Sequence, residues 1–216
     1  MKPDSLTIRV ATYNLGGGLN GHDDGDGDGD SRLIKQIDLI KALNVDLLGL
    51  QGATWGVNRK RRVEDVAQEL GMNYWTLAHS PFYGCNIAVF VRQNDQLSVT
   101  KQRALGGPPW VHAHVHIQLK VPCHPPRLHF MVGHAPSSPT MRLAEAEMMA
   151  EYQHLPVIYA CDFSAPALGE HPDVTGVDTS TVTRHLDYRP AKELAAAGLS
   201  TSARTATAAR PWGTAH

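Results

Sequence analysis

The sequence has few cysteines, no long apolar run and almost no net charge, and each of these shortages excludes a class of protein. The three cysteines, Cys85, Cys123 and Cys161, are widely spaced without a CxxC pair, which suits a reducing compartment rather than a disulfide framework. No apolar run approaches the roughly 20 residues that span a membrane, and the opening MKPD lacks the apolar segment of a signal peptide. The formal net charge of -1 gives no overall basic surface for nucleic acid. We therefore expect a cytoplasmic protein without membrane association.

The sequence does contain enough apolar material for one substantial core. With 216 residues, of which 42% are hydrophobic, we expect a single domain over residues 1–216. The low-complexity stretch GHDDGDGDGD, at 21–30, has no means of building a core and is interpreted as a flexible acidic loop. Its spacing matches the first half of a calcium-binding EF-hand loop, but the twelfth position is Lys35 rather than Glu, so an EF-hand is not predicted.

Apolar periodicity divides the rest of the chain into strands and helices. The predicted strands cover residues 6–13, 45–50, 85–92, 97–105, 111–120, 128–134 and 156–161. The predicted helices run from Ser31 to Leu43, over 61–70, from Pro139 onward, and over 190–198. Strands and helices alternate at both ends, and the middle is rich in strands. This order predicts an α/β layered domain with mixed sheets.

Polar side chains with catalytic potential stand where four of these strands end. They are Asn14, Gln51, His134 and Asp162. A lone Asp at a strand end is usually a turn cap, and a lone His is usually structural. Four such groups at the carboxyl ends of four strands form a constellation, and we expect them to lie at one site.

The segment VHAHVHIQLK contains a second group of candidate residues. His112, His114 and His116 alternate along a predicted strand and are expected to share one face, with apolar residues on the other. Imidazoles on one face could bind Zn²⁺ or another transition metal. Neighbouring residues on one face of a strand are about 7 Å apart, however, so three in a row converge poorly on one ion. An ordinary strand with one polar face is the favoured interpretation.

Five segments, in order along the chain, carry a family resemblance. They are ATYNLGGG, VDLLGLQGATW, CNIAVFVR, FMVGHAPSSPTMRLAEAEMMAEY and VIYACDFSAP, which together span residues from about 6 to 166. In order and spacing they resemble the motifs of the endonuclease/exonuclease/phosphatase superfamily. The resemblance implies a four-layer α/β sandwich, with two mixed β-sheets packed face to face and helices outside. It also implies phosphoester hydrolysis assisted by a divalent metal, Mg²⁺ or Mn²⁺.

The resemblance further implies roles for individual residues. Asn14 matches the Asn that helps set the metal site, His134 the His that contacts the scissile phosphate, and Asp162 the Asp that orients the nucleophile. Asn14 and Asp162 are therefore the expected metal ligands, and His134 and Asp162 the expected catalytic pair. The expected substrate-binding residues are Asn14, Gln51, Trp55 and Ser164.

The chain departs from the family pattern at three places. Gly52 occupies the position of the principal metal-binding Glu, and Gly cannot bind a metal through a side chain. Ser164 replaces an Asn. The closing Ser-Asp-His motif is missing, because the chain ends at His216 without it. A site that uses one or two carboxylates loses most of its metal affinity when one is removed, so the cofactor is either Mg²⁺ or Mn²⁺, or none.

Three functions remain open at this point. The first is a divergent metal-dependent phosphoesterase that hydrolyses phosphodiesters or phosphomonoesters, with a phosphorylated small molecule or nucleic acid as its partner. The second is an enzyme with the same fold and altered chemistry on a small molecule, in which His134 and Asp162 form an acid/base pair. The third is an inactive binding or regulatory module. In that case a protein partner or a second copy would cover the incomplete C-terminal edge.

Overall fold

A computed structural model describes residues 6–16, 29–53, 55, 60–81, 85–122 and 126–200. Its strands are β1 (Val10–Asn14), β2 (Leu47–Gln51), β3 (Tyr74–Ala78), β4 (Ile87–Val91), β5 (Ser98–Gly107), β6 (Trp110–Lys120), β7 (Arg127–His134) and β8 (Val157–Asp162). Its helices are α1 (Gly29–Ala42), α2 (Lys60–Glu69), α3 (Pro139–Ala150), α4 (Thr179–His185) and α5 (Arg189–Ala196). Most of the predicted acidic loop, and the C-terminal edge proposed for a partner, lie outside the described residues.

The contacts of the chain divide it into two compact units. The first comprises Met1–His134 and Leu155–Asp162, and holds all eight described strands with α1 and α2. The second comprises Ala135–His154 and Phe163–His216, and holds α3, α4 and α5. The single domain expected from the sequence stays a prediction.

The first sheet has the strand order β1-β2-β4-β3. β1 and β2 run parallel, whereas β4 is antiparallel to both β2 and β3. Every residue of β2 (LLGLQ) and of β4 (IAVFV) is buried, because these two central strands are covered on both faces. Their continuous apolar sequences reflect that burial.

The second sheet has the strand order β5-β6-β7-β8. β5, β6 and β7 form an antiparallel meander, and β8 then pairs in parallel with β7. The parallel pair is possible because α3 stands between β7 and β8 in the chain, which gives the connection its required length. Both sheets therefore contain parallel and antiparallel pairs, as predicted.

The two sheets pack face to face over a shared apolar core. That core combines residues of β2 and β4 with residues of β6, β7 and β8: Leu47, Ile87, Val89, Val91, Val115, Ile117, Phe130, Val132 and Ala160. Gly49 of β2 lies close to β7, since a Cβ atom there would lie 2.6 Å from Cγ1 of Val132. Only glycine permits this separation between β2 and β7. The predicted face-to-face packing is confirmed.

Helices α1 and α2 cover the outer face of the first sheet. Their inward residues join the side chains of β2 and β4 in a second apolar core: Leu33, Ile40, Val63, Val66 and Ala67 from the helices, and Leu48, Leu50, Ala88 and Phe90 from the strands. The helical spacing of apolar residues predicted α1, and α2 was predicted over 61–70 with Gly71 as its C-terminal stop. Within the described residues, no helix is long and apolar enough to cross a membrane.

The second unit is held together by the buried guanidinium of Arg142, on α3. It donates to the backbone carbonyl of Arg184 at 2.6 Å and to that of Ser164 at 2.8 Å. It also lies 3.8 Å from the carboxylate of Asp187, just before α5. One side chain thus connects α3 to the end of α4 and the start of α5.

Two elements were not predicted from the sequence. β3 is only five residues long and mixes partly and fully buried positions, so its sequence shows no clear alternation of apolar and polar residues. α4 is a seven-residue helix without buried residues, and hence without an apolar stripe. Its sequence signal is the N-cap, where the side chain of Asp178 accepts a hydrogen bond from the backbone N–H of Thr181. β1 also begins at Val10 rather than at residue 6.

Candidate active site

Four polar residues predicted to share a site are the last residues of their strands. Asn14 ends β1, Gln51 ends β2, His134 ends β7 and Asp162 ends β8. Asn14 and Gln51 are paired in the parallel register of the first sheet, and His134 and Asp162 are paired in that of the second. We call these four residues the strand-end cluster.

A hydrogen bond between the sheets holds Asn14 against Asp162. The Nδ2 atom of Asn14 donates to Oδ2 of Asp162 over 2.7 Å. The Oδ1 atom of Asn14 accepts a 2.8 Å bond from the backbone N–H of Gly16. Because both ends of the amide are engaged, its orientation is fixed, and it presents an N–H rather than an oxygen to the carboxylate.

Gln51 connects the sheets beneath this bond. Its side chain is fully buried, and Nε2 donates to Oγ1 of Thr12 at 2.8 Å and to the carbonyl oxygen of Gly133 at 3.2 Å. Both partners belong to the strands that carry Asn14 and His134. Gln51 therefore sets the spacing of the site, and its predicted part in substrate binding would require it to leave these partners.

His134 is partly buried and stacks on a second histidine. Its ring centroid lies 4.5 Å from that of His112, with 21° between the ring planes. Burial lowers the pKa of His134 below its ordinary value, and the nearby carboxylate of Asp162 opposes that shift. The net direction is downward, so the imidazole is neutral at pH 7. Among the described residues, no hydrogen-bond partner faces its Nδ1 atom.

His112 is the residue at this site whose role was not predicted from the sequence. It is buried, and its Nδ1 atom lies 3.5 Å from Oγ of Ser80, which follows β3 in the first sheet. The alternation of histidines marked His112 as a surface or metal-binding residue. His112 is on β6 and His134 on the neighbouring strand β7, and the alternation of residues along β6 does not show which residue of β7 lies beside His112.

The three alternating histidines have separate surroundings rather than one shared site. His114 is fully buried and stacks on Trp110, with a 4.0 Å centroid distance, while His116 lies 2.8 Å from His129 through ring nitrogens. The poor convergence expected from strand geometry is what the structure shows. The apolar residues that alternate with the histidines along β6, from Ala113 to Leu119, face the core between the sheets, as predicted.

Two further predicted site residues lie in different settings. Trp55 is fully buried in the core formed by the first sheet and helices α1 and α2, so its indole presents no surface to a ligand. Ser164 belongs to the second unit, where it has a φ of 48° and its carbonyl accepts from Arg142. Substrate binding by either residue stays a prediction.

The described residues do not fit a preformed divalent metal site. Asp162 is the single carboxylate of the strand-end cluster, and Oδ1 of Asn14 is bonded to Gly16. Gly52, at the position of the family's glutamate, is buried and has a φ of 67°. Within the parts of the chain that the structure describes, no three His, Cys, Asp or Glu side chains are arranged to hold a metal ion.

Solved structures with this arrangement of sheets exist, although neither protein-family profiles nor curated proteins give a match. An endonuclease/exonuclease/phosphatase family protein from Bacteroides thetaiotaomicron superposes with a TM-score of 0.56 at 19% identity, over 72% of this chain and 62% of that one. A mannosyl-6-phosphatase of the same species superposes with a TM-score of 0.57 at 19% identity, over 73% of this chain and 65% of that one. D. rerio TDP2, complexed with a single-strand DNA product, superposes with a TM-score of 0.57 at 12% identity, over 88% of this chain and 64% of that one.

The superposed regions cover less than two thirds of the two bacterial structures, at 62% and 65%. At identities of 12% to 19%, the likeness is one of fold. The two mixed sheets of this chain are consistent with that fold. The chain therefore has the fold of the endonuclease/exonuclease/phosphatase superfamily.

Proposed function

We propose that the chain is a divergent phosphoesterase and that the strand-end cluster is its catalytic centre. The observation that carries this proposal is the hydrogen bond from Asn14 to Asp162, with His134 beside Asp162 in the register of the second sheet. A carboxylate and an imidazole at adjacent strand ends supply the two functions that phosphoester hydrolysis needs. One group positions water, and the other contacts the phosphoryl oxygens.

In this proposal Asp162 accepts a hydrogen bond from the attacking water and holds it in line with the phosphorus. Asn14 fixes the carboxylate by its 2.7 Å bond, so that Asp162 does not have to be ordered again when substrate arrives. His134, neutral at pH 7, donates one ring N–H to a phosphoryl oxygen. His112 restricts the rotation of that ring by stacking on it.

The requirement for Mg²⁺ or Mn²⁺ implied by the family resemblance is a separate part of the proposal. The described residues do not form a site for either ion, and no step above passes through a metal. Phosphoryl transfer nevertheless develops negative charge that an enzyme has to stabilise. The assay below therefore includes both ions and a chelator.

The proposed substrates are phosphoesters, either of a phosphorylated small molecule or of nucleic acid. Both classes occur among proteins of this fold, as a mannosyl-6-phosphatase and as TDP2 with a DNA product. Para-nitrophenyl phosphate and bis-para-nitrophenyl phosphate represent the monoester and the diester without assuming a leaving group. Their relative turnover would assign the class.

The test is hydrolysis of both esters by the full chain with Mg²⁺, with Mn²⁺ and with a chelator. Asp162→Asn and His134→Gln are compared with Asp95→Asn and His154→Gln, which change the same residue types at exposed positions. We expect each cluster variant to lose about 10²–10⁴-fold in rate, and each control to retain activity. Turnover that survives in both cluster variants would refute the assignment of the site.

A second candidate function is acid/base chemistry on a small molecule without a phosphate. It is favoured by the neutral state of His134 beside Asp162 and by Gly52, which leaves no side chain at the position of the family's glutamate. This candidate predicts no turnover of either ester in any metal condition. It further predicts that an uncharged ligand shifts the ring signals of His134 in wild type and not in Asp162→Asn.

A further inference from the structure

A small basic pocket lies on β5 and β6, away from the strand-end cluster. It has a volume of about 90 Å³ and is lined by Lys101, Arg103, His116 and Gln118. Across the antiparallel ladder, Lys101 pairs with Gln118, and Arg103 pairs with His116. Opposed residues have Cβ atoms about 5 Å apart, and alternate residues of one strand are about 7 Å apart. The four side chains therefore stand at the corners of a rectangle small enough for all of them to reach one ion.

The pocket carries positive charge that nearby acidic groups do not neutralise. Lys101 and Arg103 are both exposed, and within the described part of the chain neither forms an ion pair with a carboxylate. The amide of Gln118 adds a neutral donor between them. Two cations and an amide beside a cavity match the donor set that binds phosphate or sulfate, because charge-assisted hydrogen bonds to such ions are strong.

His116 completes the lining as a neutral ring. Its Nε2 atom lies 2.8 Å from Nδ1 of the buried His129. Burial, followed by the charges of His129, Arg103 and Lys101, lowers the pKa of His116 to about 4. When Nδ1–H of His129 donates to Nε2 of His116, the remaining nitrogen of His116 carries a hydrogen.

We propose that this pocket binds the phosphoryl group of a small phosphorylated molecule. A pocket of this size holds one such group, whereas a nucleic-acid strand is bound by a groove of cations that follows its backbone. His116 lies four residues along β6 from His112, or about 13 Å, so the pocket and the strand-end cluster are separate. The proposal does not depend on catalytic activity at that cluster.

Binding an anion here would raise the pKa of His116, because a negative charge beside the ring favours its protonated form. The charged or titratable groups that face the ring are Lys101 and Arg103 on β5, His129 on β7 and His114 on β6. All of them are cationic or neutral, so a bound oxyanion would add a negative charge beside the ring. Sulfate, which stays dianionic, should therefore bind more tightly as the pH falls toward about 4, the pKa of His116 in the free protein.

The test uses the full chain, with sulfate and inorganic phosphate as probes, followed by NMR of the histidine rings. Lys101→Gln/Arg103→Gln removes both charges of the pocket, and Arg9→Gln/Lys41→Gln removes two exposed charges elsewhere in the same unit. We expect millimolar sulfate to shift the signals of His116 and to raise its pKa. Affinity should fall about tenfold or more in the pocket variant and stay unchanged in the control.

Three results would overturn the proposal. The signals of His116 could stay unmoved by either ion, the pocket variant could bind sulfate as tightly as wild type, or a short oligonucleotide could displace sulfate while a small sugar phosphate does not. Circular dichroism of both double variants would establish that they fold. Since all four substituted residues are exposed, we expect both spectra to match wild type.

Discussion

The amide of Asn14 donates a 2.7 Å hydrogen bond to the carboxylate of Asp162, and so joins the last residue of β1 in one sheet to the last residue of β8 in the other. Residues 148 positions apart in the chain meet at this bond. It orders the candidate catalytic carboxylate and also contributes to the packing of the sheets.

Changing Asn14 to Asp should turn this attraction into repulsion. Two carboxylates would face each other, and we expect the free energy of unfolding at pH 7 to fall by about 1–3 kcal/mol. The loss should be smaller at about pH 4, because two carboxylates that share one site take up a proton more readily than an isolated one. Urea unfolding at both pH values measures this change. Asn14→Leu removes the hydrogen bond without adding a charge, so the free energy of unfolding that this variant loses should not depend on pH in this way. Equal pH dependence in the two variants would contradict the prediction.

The pKa of His134 should depend on Asp162. Burial lowers that pKa and the carboxylate opposes the shift, so Asp162→Asn should lower it further. NMR titration of the ring measures both values. In wild type, activity that needs the neutral ring should decline as the pH falls through the pKa of His134. The acidic limb of the rate profile should then move to lower pH in any Asp162→Asn protein that retains measurable turnover. An upward shift in Asp162→Asn would contradict the electrostatic assignment.

The buried ring of His114 should make the protein sensitive to acid. Burial lowers its pKa from 6.5 to about 3, so the unfolded chain takes up a proton well before the folded chain does. Stability is therefore full above pH 6.5 and falls as the pH drops below it, by at most about 1.4 kcal/mol per pH unit from this group.

His114→Phe should reduce that acid sensitivity. Phenylalanine keeps an aromatic ring against Trp110 and removes two ring nitrogens that have no hydrogen-bond partner among the described residues. Denaturant unfolding between pH 7 and 4 should show a shallower slope for the variant. The exposed His154→Gln should follow the wild-type slope. If His114→Phe also followed it, His114 would not be the group responsible.

Removing the buried cation of Arg142 should destabilise the second unit strongly. In Arg142→Met three backbone carbonyls lose their donor and Asp187 loses a buried cation, so we expect a cost of about 3–5 kcal/mol. Arg142→Met/Asp187→Leu should recover part of it, since no buried charge is then left unpaired. The control is Arg189→Gln, which removes an exposed cation from the same carboxylate and should cost much less. Hydrogen exchange of α3 and α5 measures the stability of this unit in each variant. If Arg142→Met and Arg189→Gln lost equal stability, this account would be contradicted.

The strand-end cluster was predictable because it depends on local sequence. Each of its residues closes an apolar run, and strands that end at one edge of a sheet bring their terminal side chains together. The stack of His112 on His134 was not predictable, because it joins two different strands, β6 and β7, and the alternation of residues along one strand does not show what lies beside it. The burial of Trp55 depends on long-range packing. Its position just after Gln51 suggested the opposite.

Gly52 has one further consequence, which concerns any attempt to build a metal ligand at its position. Its φ of 67° lies in the left-handed region, and the next residue, Ala53, is held by a 2.9 Å bond from its N–H to the carbonyl of Asn86. A glutamate placed on this backbone would pay about 1–2 kcal/mol in strain before it reached any ion. An engineer who wished to place a metal-binding glutamate at this position would therefore have to redesign the path of the loop before the side chain.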